Sequence, residues 1–96
     1  MKTVHIATYA VNGAEVYEYV CSKVEFKLSR EIYAKIEFAF ARYYESHDVM
    51  YVNGIRSAVS KHLINSKVVV GDSVQILIVD LMMDCLEKMG HLRDIN

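Results

Sequence analysis

Four histidines (His5, His47, His62 and His91) and two cysteines (Cys21 and Cys85) have the widest chemical repertoire in this chain, and their spacing argues against most of it. A zinc ion needs ligand pairs such as Cys-x-x-Cys or His-x-x-x-His, which set two donors on one loop or one helix face. Neither spacing occurs, so no metal site is expected. His62 falls on the apolar side of its helix and reads as a histidine satisfied in the core or at an interface. A nucleophilic cysteine must ionise near neutral pH. Cys85 lies in an apolar helical stretch beside Asp84, and both surroundings raise a thiol pKa. Gly13, Gly54, Gly71 and Gly90 stand too far apart for a phosphate-cradling loop, and no Gly-Lys-Ser/Thr occurs. The carboxylates are scattered. The expectation is a chain with no catalytic residue, no metal and no cofactor.

Charge gives a second filter. With 11 Lys and Arg against 12 Asp and Glu, the formal net charge is −1, so no global field draws in nucleic acid. The alternative reading is a DNA-binding regulator of winged-helix type, with Arg56, Lys61 and Lys67 on phosphates. It requires the helix at 73–89 to present basic and amide groups to the major groove. The polar stripe of that helix is instead Asp80, Asp84 and Glu87, which phosphates repel. A weaker third reading is a small-ligand sensor with a pocket between hairpin and helices.

Seven tyrosines are the clearest enrichment. Tyrosine brings a large apolar body and a polar tip at low entropic cost, which favours it at interfaces. Tyr9, Tyr17, Tyr44 and Tyr51 are the candidate partner-binding residues.

These residues must be held by a small set of elements. Ser73 to Met89 has the pattern of a helix that is apolar almost all the way round. Ser73, Asp80, Asp84, Glu87 and Lys88 collapse onto one stripe, which leaves an apolar arc of about 260°. One neighbour covers little more than about 100° of such a helix. The excess predicts a homodimer interface built from Leu77, Leu81, Met82, Met83 and Leu86.

Upstream, Asn12-Gly13 between alternating segments reads as a type I′ turn, so residues 3–28 are expected to form a hairpin, with a third strand as an option. Ser29 is placed to cap a helix over Arg30 to about Ser46, and Asn53 to cap another over 54–65. Residues 67–71 are a short strand or a linker. Asp72 is expected to cap the last helix and Gly90 to close it, and the tail at 90–96 to fray.

The fold class predicted is α+β in a single domain, 1–96, with the C-terminal helix central to the core or to a dimer interface. The longest apolar run, Ile76 to Val79, is far shorter than the ~20 residues of a membrane span. With no leader pattern and two unpaired cysteines, the expected setting is the cytoplasm. The function expected is a non-enzymatic protein–protein interaction module, a homodimeric regulator or inhibitor of a larger protein, in the style of a bacteriophage or mobile-element accessory protein.

Overall fold

Asn12 opens a helix, not a hairpin. The computed structural model describes residues 3–6, 12–47 and 49–94, with the backbone alone at 3–6, 93 and 94. Four helices dominate: α1 (Gly13–Lys23), α2 (Arg30–Ser46), α3 (Val52–Asn65) and α4 (Asp72–Lys88). Three short strands, β1 (Thr3–Ile6), β2 (Val49–Tyr51) and β3 (Leu92–Asp94), pair antiparallel in the order β2-β1-β3. Val4 stands opposite Met50 on one side and Asp94 on the other.

The expected α+β fold built on an N-terminal hairpin is therefore overturned; the chain is mainly helical. The physical reason lies in one residue pair. Asn12 has φ −86°, far from the positive values a type I′ turn requires. Its Oδ1 accepts from the N–H groups of Ala14 and Glu15 at 3.1 and 3.4 Å. Glu15, three residues on, accepts in turn from Asn12 Nδ2 at 3.4 Å, so the two side chains form an N-terminal cap resembling a capping box. Val16 and Val20, one turn apart, are then the buried positions of α1. The run that alternates as a strand also repeats every four residues, and packing chose the helical period.

The other helices begin and end near the expected residues. Ser29 Oγ accepts from Ile32 N–H at 3.4 Å and caps α2. Asn53 is not a cap: α3 starts at Val52, and Tyr51 precedes it without a side-chain cap bond. Asp72 is likewise the first residue of α4, after Gly71. Residues 68–70 form a linker, not a strand. The tail does not simply fray, because Leu92 is buried and β3 pairs with β1.

Gly54 marks a close approach. The Tyr43 ring from α2 lies so near that a Cβ on Gly54 would stand 2.5 Å from the phenol oxygen. α4 runs through the middle of the molecule. Ile78, Val79, Met82, Met83, Cys85 and Leu86 are buried along it. α1, α3, α2 and β3 all pack against it, while α1 and α2 meet through side chains, with Tyr17 edge-on to Tyr33 and Arg30 over the Tyr17 ring. Among the described residues no helix is long and apolar enough to cross a membrane.

Two glycine substitutions test this arrangement by chemical denaturation. Gly13→Ala is expected to change stability by less than about 0.5 kcal/mol, as suits a first-turn helical position; a turn glycine with positive φ would cost about 1 kcal/mol or more. Gly54→Ala is expected to destabilise by about 1–3 kcal/mol through displacement of Tyr43.

Candidate functional site

The structure redistributes the residues singled out from sequence. Met82, Met83 and Leu86, expected at a subunit interface, are buried inside the chain, and Leu81 is half-buried. Only Leu77 of that set stays exposed, at 40%. The cause is α1, which folds as a helix and packs along α4. Tyr44 is buried and Tyr51 exposed, while Tyr9 lies outside the described residues. Tyr17 is half-buried, edge-on to Tyr33 at 4.8 Å and under the Arg30 guanidinium at 5.0 Å. Because Tyr44 is buried, the three described tyrosines of this set, Tyr17, Tyr44 and Tyr51, do not share one exposed patch.

The basic trio is also divided. Arg56 Nη2 donates to both carboxylate oxygens of Asp80, at 2.7 and 2.8 Å, across α3 and α4. Lys61 and Lys67 are exposed. The reading with three phosphate contacts thus loses Arg56 to an internal ion pair. His62 is half-buried and stacks on Phe38 at 4.9 Å, and His47 stacks on Tyr43 at 3.9 Å. Among the described residues, no three His, Cys, Asp or Glu side chains converge as metal ligands do.

Cys85 is buried, and burial first, then the Asp84 carboxylate, pushes its thiol up. Asp84 itself accepts from the Tyr19 hydroxyl, and Lys88 Nζ donates to that same hydroxyl oxygen at 2.9 Å. Lys88 also stands 3.4 Å from Asp84. The hydrogen bond to Tyr19 and then Asp84 hold the Lys88 ammonium protonated beyond its usual range. This polar clasp ties α1 to the charged stripe of α4. Tyr33 is buried deeper, with a hydroxyl that has no hydrogen-bond partner. Burial, followed by Glu37, Cys85, Cys21 and Tyr17, raises its pKa.

Because α1 and α2 diverge over α4, a groove opens between them. Its two connected parts have volumes of about 460 and 670 Å³ and share Gly13, Tyr33, Ala34 and Glu37. Val16, Phe40, Tyr44, Met82 and Leu86 form an apolar floor. Ala34 and Ala41 form a low wall on α2, and the Glu37 carboxylate lies 3.4 Å from where a Cβ on Gly13 would stand. The charged residues of the lining are Glu37 and Glu45 in the first part and Glu18, Arg30 and Glu37 in the second, and neither Glu37 nor Glu45 makes an ion pair among the described residues. Between Arg30 and Glu45 the α2 wall runs about 22 Å, enough for roughly four turns of a helix.

A second feature lies at the junction of α3 and α4. Ile64 and Val69 are the most exposed apolar side chains of the described chain, at 71% and 96%. Lys61 and Lys67 flank them. Sequence reasoning missed both features. Ile64 carried a signal, since it falls outside the Ile55, Val59 and Leu63 stripe of its own helix. The groove carried none, because it depends on how far apart α1 and α2 are set.

The buried Tyr33 hydroxyl gives a testable consequence. The unfolded phenol titrates near 10.0, while the folded one keeps its proton to higher pH. Stability from this source is therefore full below pH 10 and is lost as pH rises beyond it. Cys85 adds the same sign from its ordinary value of 9.0. Tyr33→Phe is expected to leave stability at neutral pH unchanged or raised by up to about 1 kcal/mol. It should also make the alkaline decline in denaturation midpoint shallower. A loss above about 1 kcal/mol at pH 7 would mean that the hydroxyl is bonded after all.

Comparison of the chain with protein-family models, curated proteins and solved structures gives no match. Its function is therefore read from its own surface.

Proposed function

We propose that this protein is a small non-enzymatic interaction module. In this reading it regulates or inhibits another protein by seating a protein segment in the groove between α1 and α2. The observation that carries the reading is the combination within that groove. An apolar floor gives affinity through burial, at about 25 cal/mol per Å². The low wall of Ala34 and Ala41 admits a backbone, and Glu18, Glu37 and Glu45, against the single cation Arg30, select positive charge. The matching ligand is an amphipathic segment with one or two aliphatic anchors flanked by Lys or Arg. The polar groups elsewhere support the absence of catalysis from this reading, since Asp84, Lys88 and Arg56 are all held in contacts between helices.

A photo-cross-linking side chain at Ala41, inside the groove, compared with one at the exposed Ser57 on α3, tests this in native-host cells. Ala41 is expected to yield adducts of discrete mass that disappear when Glu37→Lys and Glu45→Lys are added, and Ser57 is expected not to yield them. The same adducts from both positions, or none from Ala41, would remove the groove as a docking site.

A further inference from the structure

The turn joining α3 to α4 has the shape and charge that the groove lacks. We propose that in the free protein the groove of one copy receives the α3–α4 turn of a second copy. Ile64 and Val69 meet the apolar floor, and Lys61 and Lys67 meet Glu37 and Glu45. This deepens the groove reading and rests on it.

Four observations lead there. Ile64 and Val69 are exposed at a turn that also carries the exposed Lys61 and Lys67, whereas the groove is apolar and lined by Glu18, Glu37 and Glu45 against the single cation Arg30, so the surfaces complement each other in polarity and in net charge. The turn is preformed. Lys67 N–H donates to Ile64 C=O at 3.0 Å and Val68 N–H to Leu63 C=O at 3.0 Å, the paired bonds of a Schellman closure. On the other side Gln75 Nε2 donates to Val70 C=O at 2.7 Å. The fully exposed Val69 thus stands on a backbone fixed from both ends, which lowers the ordering cost of binding.

The fourth observation is a contrast within the molecule. α4 ends in the same closure, with Gly90 N–H on Glu87 and His91 N–H on Leu86, and it places glycine at the left-handed position, φ 81°. α3 places Lys67 there, at φ 58°, where a side chain costs roughly 1–2 kcal/mol. Strain of this kind points to a side chain that acts at that place. The contact is small beside the ~800 Å² per partner of a standard interface, so the association is expected to be weak and reversible. Where two copies exchange turns reciprocally, the pair closes as a two-fold dimer.

Sedimentation velocity of the full chain over a range of concentrations tests the proposal. The wild type is expected to self-associate reversibly at micromolar concentration. Glu37→Lys with Glu45→Lys, and separately Lys61→Glu with Lys67→Glu, are each expected to weaken self-association at least about tenfold. An equimolar mixture of the two reversed variants regains it, because each groove then meets a turn of opposite sign. Lys67→Gly is expected to melt at higher temperature than the wild type and yet to associate more weakly, a split that general damage does not produce. A wild type that stays monomeric, reversed variants that associate as tightly as the wild type, or a mixture of folded variants that does not re-associate would overturn the proposal. A monomeric wild type whose Ala41 still cross-links to another protein would remove the second copy and leave the groove reading standing.

Discussion

Everything in this molecule depends on covering α4. A helix apolar over about 260° cannot be covered by one neighbour, and this chain surrounds it with its own parts. α1 packs on one side, α3 on another, and α2 and β3 on further parts, leaving Ile76 and Leu77 exposed near its N-terminal end. Each fully buried aliphatic or methionine side chain on α4 contributes about 1.5–3 kcal/mol relative to exposure. Five such positions, Ile78, Val79, Met82, Met83 and Leu86, together with Cys85, fix where every other helix must lie. The polar stripe is used in the same way: Asp80 anchors α3 through Arg56, and Asp84 anchors α1 through Tyr19.

That solution moves the surface available for association. Met82, Met83 and Leu86 are consumed in the core, and what stays exposed is the edge of the arrangement. α1 and α2 both serve α4 and diverge from each other, so a groove remains between them. The α3–α4 connection is short and fixed, and its outward residues, Ile64 and Val69, are the most exposed large apolar side chains among the described residues. An acidic, apolar groove and a basic, apolar turn are the two ends of this construction. Both sit on rigid elements, as an interaction surface requires.

Much of the helical half was legible from the amino-acid sequence. Ser29 and the spacing of Ile36, Ala39 and Phe40 delimit α2, and Gly90 closes α4 where a left-handed residue was expected. The N-terminal quarter misled for a physical reason. Asn favours both turn and helix-cap positions, and Val16, Tyr17, Tyr19 and Val20 are residues of high strand propensity. The decisive signals were Glu15 three residues after Asn12 and the four-residue interval between Val16 and Val20. Helix content there is imposed by α4, which needs a helical partner to bury it; local propensity does not supply that instruction. Of the candidate partner-binding tyrosines, Tyr44 lies in the core because it continues the buried stripe of α2, formed by Tyr33, Ile36, Ala39, Phe40 and Tyr44.

The placement of α1 on α4 within one chain is the claim on which both the fold and the groove stand. Solution NMR of a mixed sample, half of it isotope-labelled, tests it most directly. The account expects helical carbon shifts from Gly13 to Lys23, together with contacts from the Tyr19 ring to the Lys88 side chain that arise within labelled molecules only. Extended shifts over those residues, or Tyr19–Lys88 contacts that arise only between labelled and unlabelled molecules, would contradict it.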